Sequence, residues 1–123
     1  MALLIDSNIV IYSISQEFHF LRTLLVSKDC YVSEISRVEV LGYHGLNDVD
    51  RKFFLDVFDY ISIITPDQTI FDKAIEIRRR YKLKLGDSII AATAIVHELD
   101  LYTHNVKDFK CVEGINYIDP IAP

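Results

Sequence analysis

The chain has no tryptophan, one methionine, two cysteines, three prolines and four glycines among its 123 residues. Each scarcity excludes something. Cys30 and Cys111 stand alone without a CxxC spacing, so neither a disulfide framework nor a cysteine zinc site is available, and reduced thiols in a cytoplasm are expected. His19, His44, His97 and His104 do not pair at helical ligand spacing, and none stands beside a cysteine in a usable motif, which leaves zinc without a binding set. With so little proline and glycine, and no repeat or low-complexity tract, there is no linker, and one domain over residues 1–123 is expected. Long hydrophobic runs are missing too. Asp6, Asp29 and Asp87 interrupt or border the best apolar stretches, so no membrane span is expected, and no basic residues precede a signal-peptide core. Basic charge is also short. Thirteen Lys and Arg face 18 Asp and Glu, and the net charge of -5 argues against gripping nucleic acid by broad phosphate neutralisation. Any contact with nucleic acid has to be local or bridged by metal.

What the chain does have is apolar residues in a repeating order, half of the sequence being hydrophobic. Strand-like runs occur at ALLI (2–5), CYV (30–32), ISIIT (61–65), LYT (101–103) and NYI (116–118), each rich in β-branched or aromatic residues. Helical patterns fill the gaps. A helix is expected to open at Ser7 and run toward Ile14. Ile70, Ala74, Ile77 and Tyr81 recur at helical spacing beneath Arg78, Arg79 and Lys82, and Ile89, Ile90, Ala92, Ala94 and Ile95 make the next helix almost wholly apolar and hence buried. Phe53, Phe54 and Phe58, with Leu55 and Val57, have the dense spacing of a helix packing on its neighbours or of a self-association surface, rather than of a platform for RNA bases. Strands separated by helices pair in parallel through right-handed crossovers. The expected fold is therefore α/β, a three-layer α/β/α sandwich around a mainly parallel sheet, with ligands beyond the strands' carboxyl ends.

Four acids stand out on this outline, three of them close to that edge by connectivity alone: Asp6 after the first strand, Glu39 in the helix after the second, Asp87 opening the apolar helix, and Asp108 just after the fourth strand. Each has an innocent role. Asp6 and Asp87 are good N-caps, S-R-V-E (36–39) has the form of a capping box, and Asp108 could cap the short turn before Phe109. Ser33 is the better cap of that helix, however, which carries Glu39 beyond the first turn, among the apolar Val38, Val40 and Leu41 and with no obvious basic partner. Carboxylates gathered in one place repel, and they stay ionised together only around a cation. Oxygen ligands without histidine or thiolate favour magnesium or manganese.

The pieces LLIDSNIVIY, SEISRVEVL, LKLGDSIIAATAI and LYTHNVKDF follow one another over nearly the whole chain. In this order the sequence resembles the PIN-domain nucleases, and among them the short VapC-like toxins of prokaryotic toxin–antitoxin pairs. The resemblance implies metal-dependent hydrolysis of RNA by in-line attack of water, with one or two Mg2+ or Mn2+ ions. It places Asp6, Glu39 and Asp87 at three metal-binding corners, with Asn8 and Thr103 as polar neighbours that orient ligands or water. The fourth corner departs from the family pattern, since Asn105 occupies the slot after Thr103 and His104, with Asp108 one turn later. We expect Asp108 to complete the site, directly or through water, and Asn105 to position that water. Of Arg37, Arg78, Arg79, Arg80, Lys82 and Lys84, which could hold the RNA backbone, only Arg37 has a tempting position, near Glu39. The resemblance further implies a homodimer and a small antitoxin whose C-terminal segment covers the active site.

Two other readings compete. A phosphoacceptor receiver domain shares the length and the acids at strand ends, but it needs a pair of acids after the first strand, where this chain offers Asp6 followed by Ser7 and Asn8. A catalytically silent PIN scaffold that only binds RNA or protein would have little reason to keep Asp6, Glu39 and Asp87 together.

Overall fold

The computed structural model describes residues 2–122. Among them the chain forms five strands and seven helices in the order β1 (Leu3–Ile5), α1 (Ser7–Tyr12), α2 (Leu21–Leu25), β2 (Cys30–Ser33), α3 (Glu34–Leu41), α4 (Asp48–Tyr60), β3 (Ser62–Ile64), α5 (Gln68–Arg80), α6 (Leu85–Val96), β4 (Asp100–Tyr102), α7 (Val106–Phe109) and β5 (Tyr117–Ile118). All five expected strands are present. The first helix stops at Tyr12, short of Ile14, with the Ser13 hydroxyl turned back onto the Val10 carbonyl. The short α2 carries too little sequence periodicity to be anticipated.

Every strand pair is parallel, and the sheet order is β3-β2-β1-β4-β5. The most apolar strand, β1, therefore lies in the middle, buried on both faces. Alternation of side chains along it divides the core in two. Leu4 points into the layer of α5, α6 and α7, with Ile70, Ile77, Ile90 and Phe109, while Leu3 and Ile5 point into the other layer, with Ile9, Val10, Val40, Phe54 and Phe58. Phe54 and Phe58 are thus core, and Phe53 is half-buried with the Arg22 guanidinium 4.7 Å from its ring centre, so none of the three rings is free to stack on RNA. Asn47, Asp67 and Ser33 start α4, α5 and α3 as side-chain N-caps.

The strand order also decides against a receiver. In a receiver-type sheet the first strand lies between the second and third, whereas here β1 lies between β2 and β4. The chain leaves β1 in one direction for β2 and β3, then returns to the other side for β4 and β5. The connections part at the carboxyl ends of β1 and β4, which opens the crevice where ligands of such sheets bind.

Candidate active site

Asp6 stands at that crevice. It follows β1 directly, its N–H donates to the Tyr102 carbonyl at 2.9 Å, and its carboxylate is only 5% exposed. Oδ1 accepts from the Ser7 backbone N–H at 2.8 Å, and Oδ2 accepts from the Thr103 hydroxyl at 2.9 Å and the Asn8 amide at 3.4 Å. Asp6 is therefore an N-cap and also a fixed, buried carboxylate, the two roles being compatible. Burial pushes its carboxyl up to about 6; the hydrogen bonds from Thr103 and Ser7 pull the other way, and Asp87 and Glu39 add repulsion. Asn8 is held in turn, its Oδ1 accepting from the His104 N–H at 3.3 Å, and Asn105 donates its N–H to the Thr103 oxygen at 3.0 Å.

The other acids arrive on three different helices. Glu39 lies well past the Ser33 cap, so the capping-box role is not used. Its expected burial is not found either: Glu39 and Val38 face solvent, and only Val40 of its neighbours is buried. Its partner is a hydroxyl and not a base, since Ser7 Oγ donates to Glu39 Oε1 at 2.7 Å. Asp87 does not cap α6. The cap position belongs to Lys84, without a side-chain hydrogen bond, and Asp87 sits half-buried in the first turn. Burial raises its pKa most, followed by repulsion from Asp108 and then Glu39, with Lys84 as a counterweight. Asp108 lies within α7 behind the Asn105 cap and does not itself cap the turn, and the fully buried Phe109 ring anchors the segment. Asp6, Glu39, Asp87 and Asp108, with Ser7, Asn8, Ile11, Lys84 and Asn105, line one open cleft of about 270 Å3.

The PIN-domain family model matches residues 3–114, a span that includes all four acids. The chain belongs to the PIN-domain family. It is 30% identical to ribonuclease VapC1 of Rickettsia felis, an alignment covering 96% of each chain. Among solved structures it is similar to a toxin–antitoxin complex from Klebsiella pneumoniae (TM-score 0.78, 29% identity, 99% of this chain and 100% of that one). It also shares its fold with a DNA-bound VapBC from Salmonella typhimurium (TM-score 0.81, 19% identity, 97% and 98%).

In this PIN domain the acids ring the cleft; no three acidic, histidine or cysteine side chains among the described residues close to chelating distance. Carboxylates of like charge hold one another off, which accounts for a ring in place of a closed cage. The donor set nevertheless fits a hard divalent cation, being all oxygen, and Gly86 leaves room for it: a Cβ there would stand 3.0 Å from Glu39 Oε2. Arg37 does not join the cleft. Its guanidinium makes a fork to the Glu34 carboxylate, turned along its own helix, and Lys84 is the cation that lines the PIN cleft among the described residues. Ser7, Ser36 and Gly86 escaped the sequence reading. The available signals were weak: Ser36 precedes Glu39 by one helical turn, and Ser7 adjoins Asp6.

Proposed function

We propose that the chain is an endoribonuclease that hydrolyses RNA phosphodiester bonds with Mg2+ or Mn2+, and that it is the toxin of a pair with a small antitoxin. The observation that carries this is the convergence of Asp6, Glu39, Asp87 and Asp108 from four separate segments onto one cleft beside a single lysine. In the proposed site, Asp6, Glu39 and Asp87 would hold the cation, and Asp108 would complete the set. A bound ion supplies Lewis-acid polarisation of the phosphoryl oxygen and acidifies water. Asp6 is oriented before any ligand arrives, because both of its oxygens are already hydrogen-bonded. Asn105 would position the attacking water and Asp108 would take its proton as the water oxygen bonds to phosphorus; the bond from phosphorus to the leaving ribose oxygen breaks, that oxygen takes a proton from solvent, and Lys84 would meet the phosphate at the rim. Attack by water leaves the 2′-hydroxyl unused.

An apolar groove of about 340 Å3 supports the antitoxin part of this reading. It is lined by Ile14, Val40, Tyr43, Leu46 and Phe54, and it shares Ile11 and Glu39 with the acid cleft. A partner segment seated there lies beside the acids and blocks RNA. No helix among the described residues is long and apolar enough to cross a membrane. The deciding experiment incubates metal-stripped protein with RNA, with and without manganese, and examines the new ends. Manganese-dependent cuts without 2′,3′-cyclic phosphate are expected, and they should disappear in Asp6→Asn. Metal-independent cutting, or cyclic phosphate ends, would rule the proposal out.

A further inference from the structure

Ser7 connects two of the cleft acids by different atoms. Its backbone N–H donates to Asp6 Oδ1 at 2.8 Å, and its hydroxyl donates to Glu39 Oε1 at 2.7 Å. The same hydroxyl lies 2.9 Å from the hydroxyl of Ser36, which is fully buried. A serine hydroxyl carries one proton, and a carboxylate only accepts. Once Ser7 donates to Glu39, the Ser36 proton has to point at the Ser7 oxygen, and the bonds run Ser36 to Ser7 to Glu39. Ser36 sits on α3 one turn before Glu39, so the relay leaves α3, touches α1 and returns to α3. Gly86 stands nearer the other oxygen, where its missing side chain avoids crowding: a Cβ there would lie 3.0 Å from Oε2 and 3.9 Å from Oε1.

We infer that Ser7 is a positioning residue that makes Glu39 a one-oxygen ligand: it holds Oε1, leaves Oε2 to meet the cation, and so favours Mg2+ and Mn2+ over Ca2+. The inference rests on the proposed metal site and specifies how one of its corners works. Calcium accepts bidentate carboxylates and a flexible shell of six to eight oxygens at roughly 2.3–2.6 Å, whereas magnesium demands a near-octahedral shell at about 2.0–2.1 Å. A glutamate with both oxygens free can chelate and suits the larger ion. One whose Oε1 is tied to a hydroxyl presents a single oxygen and suits the smaller. Partners of a ligand that do not touch the metal typically change affinity by about 10–100-fold, which leaves ample range for one hydroxyl to tilt the preference.

Calorimetric titration of the metal-stripped full chain with Mn2+ and with Ca2+ tests this directly. Ser7→Ala keeps the backbone bond to Asp6 and removes only the hydroxyl. The ratio of calcium to manganese affinity should rise about tenfold in this variant, Ser7→Thr should keep the parent ratio, and Ser36→Ala should shift it the same way by less. A merely structural role would lower the melting temperature and leave the ratio alone. If Ser7→Ala does not fold, the direction of the shift in Ser36→Ala decides. A parent that binds manganese and cleaves RNA, with an unchanged ratio in the alanine variants, overturns the inference alone. A parent that binds neither ion overturns it together with the nuclease reading.

Discussion

At Asp6 the fold and the ion have opposite effects on one carboxylate. Burial raises its pKa to about 6, so the metal-free protein is destabilised when Asp6 ionises. The sign follows from proton counting. Between the unfolded carboxylate range near pH 4 and the folded value, the folded state binds the extra proton, so stability falls as pH rises through this window and then levels off. The loss is on the order of 3 kcal/mol. Denaturant unfolding of metal-stripped protein at pH 4.5 and 7 (about the two ends of the window) should therefore show a decline that Asp6→Asn lacks. Equal pH dependence in parent and variant would count against it. Asp6 was legible in the sequence because an apolar run ending on an acid marks a strand's carboxyl end. Ser7 and Ser36 were not, because a hydroxyl's partner depends on which helices are brought side by side, and nothing local encodes that.

Three helices carry the remaining acids, and two of them, α6 and α7, each make a separate demand. In α6 the first turn lacks a side-chain cap, so the macrodipole favours an anion at Asp87 by about 0.3–1 kcal/mol. Its raised pKa shows that burial and the neighbouring acids outweigh that benefit. Asp87→Asn should leave the metal-free protein at least as stable as the parent, while removing cleavage and the rise in melting temperature that manganese gives. A loss of roughly 1 kcal/mol without metal would instead show that the benefit of an anion at the helix start outweighs burial and repulsion. The other element, α7, has only four residues and cannot persist by itself; the buried Phe109 holds it down. Asp108→Asn should therefore reduce both activity and manganese affinity more than Asn105→Ala, with both variants folded, as calorimetry and cleavage of one RNA would report. Parent-like activity in Asp108→Asn would leave three acids at the site.

For the molecule as a whole, the acidic charge sets how RNA can be held. A protein that neutralises many phosphates loses affinity steeply with salt, by a power of about 0.7 per contact on single strands. With Lys84 as the lining cation, the Michaelis constant for RNA at fixed manganese should rise only about 2–3-fold between ~50 and ~200 mM salt, and Lys84→Gln should flatten even this. A rise of tenfold or more would indicate a broad basic track elsewhere. The layers and the parallel sheet were legible in the alternation of apolar strands and helices. The strand order was not, since no local pattern states that β4 pairs with β1. The place of Arg37 outside the cleft was not legible for a related reason: proximity to Glu39 along the chain does not reveal a closer partner, Glu34, on the same helix. The pairing of β1 with β4 also bears on how the protein is made. Asp6 is made before the residues that complete its surroundings: Thr103, which fixes it, and Asp108 follow about a hundred residues later. A growing chain that has reached Leu99 carries three of the four acids without the strand that closes the crevice around them. The crevice therefore takes shape only after β4 has been made, because the residues that pair with β1 and fix Asp6 lie on and just after that strand.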